Sequence, residues 1–153
     1  KIDVLIQNAG IYESNSILEI DPESILRQFE INALSPLCFT RAILGNLISG
    51  SKIVLMTSRM GSIEDNSSGG SYGYRMSKVA LCMAGKSLAI DLFEKSISVA
   101  ILHPGLVSTG MTSFTNQGIS PKESVKGLLA RIDDLNINNS GTFWHSNGEV
   151  LPW

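Results

Sequence analysis

The residues best placed to do chemistry lie in Ser71-Tyr72-Gly73-Tyr74-Arg75-Met76-Ser77-Lys78. Tyr74 and Lys78 are four apart, which puts two side chains on one face of a helix. An ammonium beside a phenol favours the phenolate, so Lys78 is expected to lower the pKa of Tyr74. An unperturbed tyrosine titrates near pH ~10, and general acid–base work needs a group closer to neutrality. A Tyr and a Lys four apart also occur on many solvated helix surfaces, so the pair takes its meaning from context. Tyr72 is a rival phenol, but Met76, not a cation, stands four residues after it.

The elements that must hold this pair can be read in order. Lys1 to Ile6 reads as a buried parallel strand, closed by the turn Asn8-Ala9-Gly10. Asp21-Pro22-Glu23-Ser24 starts a helix, with an N-cap, a proline at the first position and an acid in the first turn. Ile25, Phe29, Leu34, Leu37, Ile43 and Leu47 supply its apolar face and predict one helix over 22–48. Pro36 inside it takes a donor away from the carbonyl of Asn32. That predicts either a simple kink or irregular backbone that holds a water or a polar ligand. Lys52 to Ser58 is a second strand ending in hydroxyls, and 59–71 is a Gly-, Ser- and Asn-rich loop. A long helix over 72–95 follows. Ile97 to Leu102 is apolar at nearly every position, as in strands covered on both faces, and His103-Pro104-Gly105 stops it. Ser120 caps a helix from Pro121 to about Ile132, and Gly141 to Trp144 forms a last short strand.

This alternation predicts an α/β fold, a doubly wound parallel sheet with helices on both faces, in a single domain over 1–153. Such sheets bind ligands beyond the carboxyl ends of their strands. Asn8-Ala9-Gly10, Ser58, and Pro104-Gly105 with Thr109 all fall there, as does the start of the helix carrying Tyr74 and Lys78. Asn32, Ser58, Tyr74 and Lys78 are therefore expected to converge.

Composition narrows the function classes. With 153 residues, 43% hydrophobic and 17% charged, the chain can bury one core. A net charge of −2 without a run of Lys or Arg argues against nucleic acid or an anionic membrane as partner. No apolar run has the length of a membrane span, and no signal peptide is expected. Cys38 and Cys82 sit in apolar helical patterns and are expected to be buried free thiols of a reducing, cytoplasmic compartment. His103 and His145 lack companions at ligand spacing, so no metal site is expected. His103 is expected to pack at its strand end, and Trp144 and Trp153 read as core or interface anchors. Arg59 and Arg75 fit either an acidic substrate group or plain solvent. The chain opens with Lys1 directly before an apolar strand, and further elements are expected upstream to cover that edge.

Together these motifs resemble the classical short-chain dehydrogenase/reductase family. Asn8-Ala9-Gly10 is similar to the family's Asn-Ala-Gly after its fourth strand. Asn32, in Glu30-Ile31-Asn32-Ala33, is similar to its relay asparagine, and Ser58 to its catalytic serine. Tyr74-Arg75-Met76-Ser77-Lys78 matches its Tyr-x-x-x-Ser/Ala-Lys run, and Pro104-Gly105-Leu106-Val107-Ser108-Thr109 resembles the segment facing the nicotinamide. The loop before Tyr74 and the ending Leu151-Pro152-Trp153 resemble the C-factor-type subgroup. The family's Gly-rich Thr-Gly-x-x-x-Gly-x-Gly turn, which holds the cofactor pyrophosphate, has no counterpart here.

The resemblance implies the C-terminal catalytic portion of a Rossmann-type reductase, incomplete and lacking the first strand–helix units. It implies hydride transfer between NADP or NAD and a small carbonyl or alcohol substrate. Tyr74 would act as acid and Ser58 would polarise the carbonyl. Lys78 would tune Tyr74 and hold ribose hydroxyls, and Asn32 would place a relay water. Asn8, Ala9, Gly10, Pro104, Gly105, Val107 and Thr109, with Tyr74 and Lys78, would bind cofactor. Plain packing or helix capping remains open for Val107 and Thr109. A homodimer or homotetramer is expected through the helices over 22–48 and 72–95. The substrate pocket would draw on 11–16, 60–72 and 110–120, with Met111, Phe114 and Ile119 as an apolar lid. A non-catalytic remnant serving as a binding or dimerisation module, or a nonfunctional truncated product, are the competing readings.

Overall fold

In the central strands β2 (Leu47–Met56) and β3 (Ser98–His103), successive side chains point to opposite faces. Ile53, Leu55, Val99 and Ile101 face one layer, and Val54, Met56, Ala100 and Leu102 face the other. All eight are buried, so both faces need cover. The computed structural model, which describes residues 1–153, supplies that cover. β1 (Ile2–Gln7) and β4 (Thr142–His145) flank the central pair. The sheet runs β1-β2-β3-β4 with every neighbouring pair parallel. This is the expected incomplete Rossmann-type α/β sheet.

Helix α3 (Tyr72–Asp91) lies on the first face. It comes close because Gly85 has no side chain: a Cβ there would stand 2.6 Å from Ile101 and 2.9 Å from Leu55. Helices α1 (Pro22–Phe29) and α2 (Ser35–Ala42) complete that layer. On the second face, Ile132 of α4 (Pro121–Asp134) and Leu135 just beyond it pack on the other strand set. The Lys52 ammonium donates to the carbonyls of Ile132 and Asp133 and so closes the carboxyl end of α4.

The single helix expected over 22–48 is corrected. A π turn, Glu30–Leu34, interrupts it, with the Ser35 N–H bonded to the Glu30 carbonyl. The helix ends at Ala42, and β2 already begins at Leu47. The wider turn stretches the buried stripe to every fourth residue. Ser24, Gln28, Asn32 and Thr40 are buried, while Phe29, Leu34 and Leu37 face out. Those three apolar positions, read as core, are therefore outer surface, whereas Leu47 is buried and Ile43 packs against the core; Cys38 is exposed, and only Cys82 is buried. β1 departs as well. It pairs on one side only, and Val4 (42% exposed) and Ile6 (50% exposed) have no helix above them. No helix is long and apolar enough to cross a membrane.

Candidate active site

The carboxyl ends of β1, β2 and β3 open into one cleft of about 1060 Å³. Asn8, Ala9, Gly10, Ser58, Tyr74, Lys78, Pro104, Gly105, Val107 and Thr109 all line it. Asn32 does not line the cleft; it is fully buried directly behind Gly10. A Cβ on Gly10 would stand 3.2 Å from Asn32 Oδ1 and 3.3 Å from Lys78 Nζ, so only a glycine leaves both groups undisturbed. The four residues expected to converge are thus brought together around Gly10 and Ser58.

Each is positioned by identifiable bonds. The Asn32 amide clamps the backbone of Ile11: Oδ1 accepts from its N–H at 2.8 Å and Nδ2 donates to its carbonyl at 2.9 Å. Nδ2 also donates to Ser77 Oγ at 2.9 Å, and Ser77 Oγ donates to the Tyr74 carbonyl at 2.8 Å. Both donors of that side chain are committed, and its oxygen already accepts one bond. A further acceptor is the Asn32 main-chain carbonyl, to which Pro36 offers no N–H. Ser58 Oγ accepts from the Met60 N–H and caps the one-turn helix Arg59–Gly61. That turn lies flat on α3, with Gly61 against the backbone of Lys78. Thr57 Oγ1 donates to the Lys78 carbonyl at 3.2 Å, and Lys78 Nζ donates to the Met56 carbonyl at 3.0 Å.

Electrostatics overturn one expectation. Burial raises the pKa of Tyr74, and the Ser58 hydroxyl pulls it the other way. Lys78 does not lower it. The ammonium lies 5.5 Å from the centre of the Tyr74 ring, where it meets the π face. Desolvation drives Lys78 itself down to about 8. Helical spacing made the two neighbours; burial, not their mutual charge, governs their protonation.

The segment after β3 is anchored from two sides. The Pro104 carbonyl accepts from Ser124 Oγ of α4 at 2.7 Å and from Ser146 Oγ at 3.1 Å. Gly105 has φ +89°, with Ile119 and His145 close against it, so a side chain there would be strained. Thr109 heads the short turn Gly110–Thr112, and its N–H is held by Thr112 Oγ1 at 3.0 Å. Of the expected lid, Met111 lines the cleft, whereas Phe114 faces solvent and Ile119 packs on Gly105. The residues present suit the nicotinamide–ribose half of a dinucleotide: a glycine-backed lysine, hydroxyls and a braced Pro-Gly turn beside one cleft.

The side chains around the cleft take definite places. Tyr12 stands edge-on to Tyr74, with ring centres 5.1 Å apart. Arg59 lines the cleft and is paired to Glu149 at 2.8 Å, with Asp65 at 3.5 Å. Arg75 is bound into the preceding loop. His103 packs edge-on to His145 at 4.8 Å and lines the cleft; its buried Nδ1 has no partner, and desolvation pushes its pKa down to about 3. Tyr72 opens onto a separate, smaller cavity. Trp153 packs on Phe143, and Trp144 on the second core layer.

A family model described as short chain dehydrogenase matches residues 1–120. A 1-hydroxy-2-glutathionyl-2-methyl-3-butene dehydrogenase of a Rhodococcus species is 40% identical, over 100% of this chain and 69% of that protein. The C-signal protein of Myxococcus xanthus is 42% identical, over 99% of this chain and 93% of its own length, in keeping with the C-factor-type resemblance. Among solved structures, the carbonyl reductase Sniffer of D. melanogaster superposes with a TM-score of 0.91 at 31% identity, over 99% of this chain and 66% of that one. An NADPH-bound carbonyl reductase from chicken fatty liver gives 0.89 at 30% identity, over 97% and 65%. The chain thus spans about two thirds of the length of these solved relatives.

Proposed function

The chain belongs to the short-chain dehydrogenase family of NAD(P)-dependent oxidoreductases, and we propose that it carries the catalytic portion of a carbonyl reductase. The observation that carries this reading is a run of contacts at the carboxyl end of the sheet: Asn32 and Lys78 against Gly10, the Lys78 ammonium 5.5 Å from the centre of the Tyr74 ring, and Ser58 beside Tyr74.

The nicotinamide, when bound, supplies or accepts the hydride. Tyr74, kept protonated by burial, is in the form that gives a proton to a carbonyl oxygen. Ser58 donates a hydrogen bond to the same oxygen and stabilises the charge that develops there. Lys78 holds the ribose hydroxyls, with its stem fixed on α3. Asn32 keeps Ile11 and Ser77 in place through its side chain and offers its main-chain carbonyl, to which Pro36 gives no N–H, to a water that links Lys78 to solvent. Asn8 to Gly10 and Pro104 to Thr109 form the two sides of the cofactor cleft, for NADP or NAD.

The substrate class is a small carbonyl compound or the matching alcohol, as the names of the Rhodococcus, fly and chicken relatives suggest. A homodimer or homotetramer through the apolar outer faces of α1, α2 and α3 accounts for the exposed Leu26, Phe29, Leu37, Phe39, Met83 and Ile90. A fluorescence titration with NADPH and NADH, followed by turnover of a panel of aldehydes and ketones, tests the reading. Saturable cofactor binding with carbonyl-dependent oxidation is expected; a protein that neither binds nor oxidises either cofactor overturns it.

A further inference from the structure

Residues 69–71 hold a conformation that needs support. Gly69 (φ +63°), Gly70 (φ +63°) and Ser71 (φ +49°) are three successive left-handed residues, the last of them not a glycine. Their support is Arg75, one turn into α3. Its Nε donates to the carbonyls of Gly69 at 3.3 Å and Gly70 at 3.1 Å, and its Nη2 to Ser68 Oγ at 2.8 Å. Nη1 reaches the Met60 carbonyl at 3.5 Å, in the turn that follows Ser58. The far side of the turn is pinned by buried Asn15, whose carbonyl accepts from the Ser71 N–H at 2.8 Å and whose Oδ1 accepts from the Gly73 N–H at 3.0 Å.

This strap leads to the reacting group. The Ser71 hydroxyl is hydrogen-bonded to the Tyr12 hydroxyl at 3.0 Å, and the Tyr12 ring stands at 83° to Tyr74. Arg75 and Met60 also form the partition between the main cleft and a cavity of about 220 Å³ bordered by Ile63, Tyr72 and Met76. We propose that Arg75 is a positioning residue: it locks the left-handed turn 69–71, and through Ser71 and Tyr12 it fixes the wall against which the substrate packs beside Tyr74. The inference rests on the reductase reading for its catalytic half. A planar guanidinium serves where an ammonium cannot, because donors in fixed directions must meet several acceptors at once.

The test uses Arg75→Met, Arg75→Lys, Tyr12→Phe and the double variant Arg75→Met/Tyr12→Phe in the full-length protein. For a small aldehyde, Arg75→Met is expected to raise KM about tenfold while kcat changes less than about threefold. Arg75→Lys restores little of that loss. Tyr12→Phe raises KM on its own but adds almost nothing to Arg75→Met, since both act along one path. Amide exchange at 68–71 accelerates in Arg75→Met whether or not turnover is measured. Unchanged exchange there, additive KM effects, or a kcat loss with KM intact overturns the proposal. Absence of turnover in the unmodified protein counts against the reductase reading and the catalytic half of this inference. Unchanged exchange in an active Arg75→Met protein counts against the strap alone.

Discussion

Two walls of the cleft are built by opposite means. One is the start of α3 with the end of β2 pressed onto it. Tyr74, Ser77 and Lys78 are buried there, and Ser77 and Lys78 are tied by short bonds to backbone. Gly61 and Gly73 sit in ordinary backbone conformations with no room for a side chain: a Cβ would stand 2.9 Å from the Lys78 carbonyl carbon and 2.6 Å from Gln28 Nε2, respectively. The other wall is the loop up to Ser71. Gly69 has open space around it but a left-handed backbone, and the loop is held by two arginines, Arg59 and Arg75. Proton chemistry needs fixed geometry, and the proposed acid, Tyr74, stands on the packed wall. The loop wall, proposed to shape the substrate space, is held by replaceable polar ties.

The largest effect should separate chemistry from packing. Tyr74→Phe is expected to lower turnover by about 10² to 10⁴-fold, the usual range for a general acid. Circular dichroism and thermal melting should stay near those of the unchanged protein, because the ring still fills its place. Turnover that survives at more than a tenth removes Tyr74 as the acid.

Lys78 sharpens the comparison in the other direction, since a functional group on the packed wall costs stability. Its pKa falls from 10.5 to about 8 on folding. Between those values the unfolded chain binds more protons than the folded one, so stability rises with pH across this window. The gain is complete above 10.5 and is lost as pH falls through 8. Lys78→Met should therefore stabilise the protein at pH 7, by up to about 3 kcal/mol, while abolishing activity. Melting curves recorded at pH 7 and above 10 decide it: a variant that melts lower at pH 7 shows that burial of this charge is not costly.

The glycines give the next contrast. Gly73→Ala must push Gln28 and the Ile25 backbone aside and should cost about 1–3 kcal/mol. Gly69→Ala meets nothing and carries only the left-handed penalty of about 1–2 kcal/mol, which Gly69→Asn should largely avoid. Denaturant unfolding of the three variants would expose the comparison as false if Gly69→Asn proved the most damaging.

The smallest effect belongs to the exposed arginine tie. Glu149→Gln removes one partner of Arg59 at the surface and should cost no more than about 1 kcal/mol, less in high salt. A loss of several kcal/mol would mean that the loop wall is as rigid as the helix wall.

The sheet, its parallel order and the carboxyl-end location of the site were legible because β2 and β3 are apolar on both faces and their ends carry Ser58 and Pro104-Gly105. The break in the first helix was legible only as Pro36. The π turn carries Asn32, whose partners Ile11 and Ser77 are distant in sequence. Arg59 and Arg75 resisted assignment because one pairs with Glu149, ninety residues on, and the other with loop carbonyls that no pattern marks. Exposure of Leu34, Leu37 and Cys38 was missed because local periodicity assumes an unbroken turn.

The order and spacing of residues determined by themselves that a phenol, an amine, a hydroxyl and an asparagine amide would gather at one end of a parallel sheet. Strand and helix periodicities are local and fix direction along the chain. Only the tertiary structure decided how those groups behave there. Desolvation is set by everything packed around a group, so burial holds the Tyr74 proton on and weakens that of Lys78, where their spacing alone argued the reverse for the phenol.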